Sequence, residues 1–104
     1  MIFTERIKQL RGQCQLPQRK VAEALDIDSA TYCKIERGER KAKREQLVII
    51  AGLLKADEKE LLALWLADHI IEVIKDEKEL SDKAIKIAEK INKLEYTKNT
   101  RYEL

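Results

Sequence analysis

Gln18-Arg19-Lys20-Val21-Ala22-Glu23-Ala24-Leu25-Asp26-Ile27-Asp28-Ser29-Ala30-Thr31-Tyr32-Cys33-Lys34-Ile35-Glu36-Arg37-Gly38 is the stretch that decides how this sequence folds. Pro17 precedes it, and proline suits the first turn of a helix, where its missing N–H has no partner to lose. Val21, Ala22 and Leu25 share one face at helical spacing, which predicts a short helix over Pro17 to Leu25. Asp26-Ile27 makes a very short turn. Asp28 carries the short acceptor that satisfies orphan N–H groups at a helix start, so a second short helix is expected over Ser29 to Arg37, stopped by Gly38.

The same spacing continues on both sides. Phe3, Ile7 and Leu10 form a stripe, predicting a helix from about Thr4, as its cap, to about Gln13. After a loop over Glu39 to Ala42, Leu47, Ile50, Ala51 and Leu54 predict a helix over about Lys43 to Leu54. Asp57 with Glu60 resembles a capping box for the next helix. From Leu61 to Ile74 that helix is apolar nearly all round, so it has to be covered on two sides. Asp76-Glu77-Lys78-Glu79 interrupts it, and Ser81 is placed to cap a last helix to about Leu94. That helix carries Glu79–Lys83, Asp82–Lys86 and Glu89–Lys93 in the favourable i,i+4 order. One proline, three glycines and no strand-like alternation make the chain all-α.

Charge adds a second signal. The net charge is only +2, but residues 1–50 carry 11 Lys and Arg against 7 Asp and Glu, while residues 51–104 carry 10 against 12. The excess concentrates in Lys34 to Arg44, where Lys34, Arg37, Arg40, Lys41, Lys43 and Arg44 face only Glu36 and Glu39. Such a run is an electrostatic footprint for phosphate, or else a solvated surface. Two short helices on a tight turn, followed by cations, are what a reader of the DNA major groove requires, since that groove admits one helix while its neighbour braces the phosphates.

Gln18 to Gly38 resembles the helix-turn-helix of the Xre/Cro/phage-repressor family. It keeps the leading Gln18, the Val21-Ala22 pair, Leu25 before the turn, Ile27 after it and the Ile35-Glu36-Arg37-Gly38 ending. The likeness extends from about Thr4 to Leu62. It implies a five-helix repressor-like domain, here followed by an extended fifth helix and a C-terminal helix expected to dimerise. It also implies that Gln18 touches phosphate, that Ser29, Ala30, Cys33 and Lys34 face the bases with Lys34 as main reader, and that Arg11 pairs with Glu36.

Arg19 and Lys20 lie in a first helical turn, where the macrodipole disfavours cations by a few tenths of a kcal/mol each. A phosphate at that helix end would offset this, and simple exposure is the alternative. The expected phosphate contacts are thus Gln18, Arg19, Lys20, Arg37, Arg40, Lys41, Lys43 and Arg44. Lys34 suits guanine acceptors and Ala30 a thymine methyl; Asp28 is a cap first, and a partner for cytosine N4 only if its cap bond allows. With so few strong readers, DNA shape and a second half-site are expected to share the discrimination.

The sequence departs from the family pattern in three places. Asp26 and Lys55 stand where glycine usually makes a left-handed turn, which Asp tolerates better than Lys. Tyr32 replaces a small branched residue, so its hydroxyl needs a partner or an exit to solvent. Lys43-Arg44 replaces a polar-apolar pair.

Cys14 and Cys33 have neither zinc spacing nor the density of a disulfide scaffold, so free thiols are expected. Cys33 reads as a small residue that fits the groove, or as a redox switch there. His69 is read as packed or at an interface. No phosphate loop, nucleophile motif or isolated carboxylate pair occurs, so neither enzyme activity nor any metal or cofactor is expected. No apolar run reaches a membrane span and the N-terminal stretch lacks a signal pattern, so a cytoplasmic protein with no membrane association is expected.

The expected organisation is a DNA-binding domain over 1–62, a helical dimerisation extension over 63–95 and a frayed tail over 96–104. Trp65, Ile70, Ile71, Ile74, Ile87, Ile91 and Leu94 are the expected homodimer interface, with a twofold axis matching a palindrome in double-stranded DNA. An intramolecular hairpin that buries the same faces is the alternative. Functionally, the expectation is a transcription regulator; an antitoxin-type repressor whose C-terminal helices hold a protein partner, and a purely structural adaptor, are the competing readings.

Overall fold

The apolar spacing produces six helices in the computed structural model: α1 (Ile2–Gln13), α2 (Gln18–Leu25), α3 (Ser29–Glu36), α4 (Arg44–Leu53), α5 (Glu58–Ile74) and α6 (Ser81–Glu103). The structure describes the backbone of residues 1–103 and the side chains of residues 1–95. Among the described residues there is no strand, in agreement with the all-α reading. No described helix is long and apolar enough to cross a membrane. The chain forms two units, Met1–His69 and Ile70–Leu104.

In the first unit α2 packs on α3 and α4, and α1 packs on α3. The core they share is built from the stripes the sequence displays: Phe3 and Ile7, then Val21, Ala22 and Leu25, then Tyr32 and Ile35, then Leu47, Ile50 and Ala51, closed by Leu61. Each fully buried Val, Leu or Ile contributes roughly 1.5–3 kcal/mol relative to exposure. Leu62, Leu64 and Trp65 pack against this core, so the unit extends past the boundary expected at residue 62 to His69.

Four helices of this unit end with one device. Gln15, Asp26, Gly38 and Lys55 adopt left-handed backbone angles, with φ of 54°, 56°, 78° and 55°. The next residue then donates its N–H five residues back: Leu16 to Arg11, Ile27 to Ala22, Glu39 to Lys34 and Ala56 to Ala51, all at 2.9–3.0 Å. These bonds satisfy carbonyls that the helix ends leave open. Only one of the four positions is glycine, so Asp26 and Lys55 keep the turn despite the substitution, and Gln15 is a third such case. At Gly38 an added Cβ would also meet Met1 Sδ at 3.0 Å.

The start of α1 differs from expectation. Thr4 is buried inside the helix and its hydroxyl donates to the Met1 carbonyl at 3.0 Å, so it is not the cap. The cap comes from α5: the Asp68 carboxylate accepts from Ile2 N at 3.1 Å and Phe3 N at 2.9 Å. A carboxylate at a helix N-terminus satisfies orphan donors and favours the helix dipole. Nearer in sequence, Gln46 accepts from Lys43 N at 2.9 Å at the start of α4, and Asp57 accepts from Lys59 N at 3.1 Å at the start of α5.

The second unit comprises the end of α5, a turn held by Glu77 N donating to Ile74 O at 2.9 Å, and α6. Ser81 is the first helical residue rather than the cap. Of the three expected side-chain pairs on α6, Glu89–Lys93 closes at 2.9 Å. No glycine or proline follows Ser81, and α6 accordingly runs to Glu103 instead of stopping near Leu94. For the tail expected over 96–104, Leu104 and the side chains of 96–103 lie outside the described residues.

Candidate functional site

The site is organised by which face of α3 is buried. Tyr32, Ile35 and Glu36 point into the first unit, while Ser29, Ala30 and Lys34 are exposed and Cys33 is half-buried. Asp28 caps the helix by accepting from Thr31 N. Thr31, through its side chain and its N–H, holds the Asp28 carboxyl below the usual carboxylate range, and Lys34 and Arg40 act in the same direction. Gly38 reverses the chain after α3: Glu39 N and Arg40 N both donate to the Lys34 carbonyl, at 2.9 and 3.3 Å. An exposed helix face is thus followed directly by a tight cationic loop.

The loop is anchored from α5. Trp65 Nε1 donates to the Ala42 carbonyl at 2.9 Å, and Ala42 itself is buried. Trp65, expected at a homodimer interface, is half-buried against the first unit's core. The reason is chemical: a covered indole N–H needs an acceptor, and a loop carbonyl supplies it. His69 packs edge-on against Trp65 with ring centroids 4.4 Å apart, and its Nδ1 lies 2.6 Å from the Trp65 carbonyl. Among the described residues no group of His, Cys, Asp and Glu has the arrangement to hold a metal ion.

Arg40, Lys41, Lys43 and Arg44 are exposed around this loop. Arg37 pairs with Glu39 at 3.3 Å, and Arg19 and Lys20 both approach Glu23 at 3.8 Å. Such exposed pairs are weak, so an anion of higher charge density can displace them. The first turn of α2 contains no acidic residue, which leaves the positive end of the helix dipole to Arg19 and Lys20.

Beneath the exposed face lies a polar network linking α1, α2 and α3. Arg11 Nε donates to Glu36 Oε2 at 2.8 Å and Nη2 to Oε1 at 3.2 Å, forming the pair the family resemblance implies. Arg11 Nη1 also donates to the Leu16 carbonyl at 3.0 Å. Gln18 Nε2 donates to Glu36 Oε1 at 3.1 Å, and the Cys33 thiol donates to Gln18 Oε1 at 2.9 Å. Burial works to raise the Glu36 carboxyl, but the Arg11 guanidinium, with Tyr32 and Gln18, outweighs it and holds the carboxyl below its usual range. The Glu36 contact in turn raises Arg11.

Burial drives the Tyr32 phenol far upward, and the neighbouring Glu36 carboxylate adds to this. The sequence left its hydroxyl needing a partner or an exit. The ring is fully buried, and no acceptor among the described residues meets hydrogen-bond geometry at the hydroxyl, although it is close enough for Glu36 to perturb it.

In the second unit Ile70, Ile71, Ile87, Ile91 and Leu94 are exposed and Ile74 is half-buried. Both cysteines are free thiols, and Cys14 donates weakly to the Leu54 carbonyl at 3.5 Å. Sequence reasoning missed Asp68. Its signal was a short carboxylate, one of two with Glu72, within the apolar run Leu61 to Ile74, where a polar group demands partners.

A family model described as a helix-turn-helix domain matches residues 2–64, more than half of the chain. Comparison with curated proteins gives no match, and comparison with solved structures gives none.

Proposed function

The chain belongs to the helix-turn-helix domain family, and from that premise we propose that it is a sequence-specific transcription regulator of the Xre/Cro/phage-repressor kind, binding double-stranded DNA as a homodimer. The observation that carries this reading is the exposed face of α3, bordered by a tight cationic loop and held from behind by buried Tyr32, Ile35 and Glu36. In this reading α3 enters the major groove. Lys34 donates to guanine O6 and N7, while Ser29 and Ala30 supply a hydroxyl and a methyl contact. Gln18, Arg19 and Lys20 at the start of α2, with Arg37, Arg40, Lys41, Lys43 and Arg44, grip phosphates and set the register.

The second unit supplies the reason for two copies. Ile87, Ile91 and Leu94 repeat at helical spacing on α6 and are exposed, an apolar stripe that calls for a covering partner. A second copy of the chain places two reading helices about 34 Å apart on one palindrome. A different protein on the same stripe is the antitoxin-type alternative, recognised by a heterologous subunit in native complexes.

Titration of a random duplex at two salt concentrations tests the reading, because each phosphate contact adds about −0.9 to the log–log slope. A slope near zero rejects DNA binding. Selection of bound sequences from a random pool is expected to yield two half-sites one helical turn apart. Lys34→Ala is expected to cost roughly tenfold at one base position per half-site, whereas Lys41→Ala weakens all sequences alike. Identical behaviour of the two variants would remove the division between reader and clamp.

A further inference from the structure

We propose that Cys33 is a positioning residue that orients Gln18 for a phosphate, and not a base reader. The inference rests on the DNA-binding reading above and deepens it. Cys33 differs from its neighbours Ser29, Ala30 and Lys34 in being half-buried. Its thiol proton is committed to Gln18 Oε1, at 2.9 Å. A thiol whose hydrogen is already used offers a base edge only a weak sulfur acceptor.

The contact resolves which way the Gln18 carboxamide faces. A carboxamide has one acceptor oxygen and two N–H donors. One donor is taken by Glu36 Oε1 at 3.1 Å, and the oxygen accepts from Cys33. The reversed orientation would set the amide oxygen against the buried Glu36 carboxylate, which Arg11 keeps ionised, and would leave the amide donors only the weak sulfur acceptor. The second Nε2 hydrogen therefore remains on half-buried Gln18 at the start of α2, whose first turn holds Arg19 and Lys20 and no acidic residue. A donor in that position matches a phosphate oxygen, which only accepts. Cys33 thus acts on DNA through Gln18, and Glu36 and Arg11 extend the same chain of contacts to α1.

The test compares Cys33→Ala, Cys33→Ser, Gln18→Ala and the double Cys33→Ala/Gln18→Ala variant in the full chain, with two readouts. In the free protein, the two side-chain N–H signals of Gln18 are followed by NMR. They are expected at matching positions in the wild type and in Cys33→Ser, whose hydroxyl replaces the donor, and to move toward those of a free glutamine carboxamide in Cys33→Ala. In duplex titrations, Cys33→Ala is expected to lose about threefold to tenfold in affinity for every sequence alike, the range of one hydrogen bond. Cys33→Ser recovers it, and the double variant binds no more weakly than Gln18→Ala. A change in preference confined to one base after Cys33→Ala would make Cys33 a reader and overturn the proposal. So would additive losses in the double variant, failure of the serine to recover binding, or unchanged Gln18 signals. If the wild type shows no salt-dependent duplex binding, the DNA reading falls and the phosphate role with it, while the Gln18 signals still decide separately whether the thiol holds the carboxamide.

Discussion

Isoleucines of the apolar stripes have opposite fates in the two units. In Met1–His69, Ile7 and Ile50 are 0% exposed, whereas in Ile70–Leu104, Ile70 and Ile87 are 58% and 54% exposed. The side chains are the same; the number of elements that can surround them is not. Five helices contribute to the first unit, and each apolar stripe finds another to pack against. The second has the end of one helix and a single further one, too little chain to enclose a core. The contrast teaches that helical amphipathicity alone does not produce burial. It fits the proposed division of labour, in which the first unit presents α3 and the second acquires its cover from another chain.

The strongest way to break that contrast is to attack the first unit from within. Arg11→Ala leaves the Glu36 carboxylate buried without its cation and is expected to cost about 3 kcal/mol in urea unfolding. The pH dependence sharpens the same point. In the wild type the Glu36 carboxyl is lowered, so its contribution is in place above the ordinary carboxylate value and is lost as pH falls through the folded value. Without Arg11 only Tyr32 and Gln18 still oppose burial, so the folded value is expected to rise. The stability that the wild type loses on acidification is therefore expected to shrink in the variant. If both proteins keep the same acid limb, Glu36 is not the group responsible.

The second unit is tested by Ile87→Asp. Sedimentation is expected to show loss of the proposed dimer, with roughly a hundredfold loss of affinity for a palindrome and none for a single half-site. Unfolding of the first unit should be unaffected; a destabilised first unit would remove the division of labour. Next in size, Asp68→Ala removes the cap on α1 and is expected to cost about 1 kcal/mol, read by thermal unfolding. Smallest of all, Gln15→Gly and Lys55→Gly are each expected to stabilise by about half a kcal/mol. The strain relieved at a left-handed position slightly exceeds the added freedom of the unfolded chain.

Much of the candidate site was legible in the residues. Asp28 announced its cap, Gly38 its turn, and the Arg11–Glu36 pair followed from the resemblance. Local signals sufficed because these features depend on neighbours a few residues away, or on a pairing that a recurring motif carries with it. Asp68 and Trp65 were not legible in this way. Their partners, the N–H groups of Ile2 and Phe3 and the carbonyl of Ala42, are backbone atoms common to every residue and leave no mark in the sequence.

The sequence by itself therefore determined the helices, the buried stripes and the cationic run, because spacing, capping and charge are properties of nearby residues. The tertiary structure alone decided that α5 caps α1 and anchors the basic loop, and that Cys33 turns toward Gln18. In each case the outcome depended on which distant group arrived within bonding range, and periodicity along the chain carries no record of that.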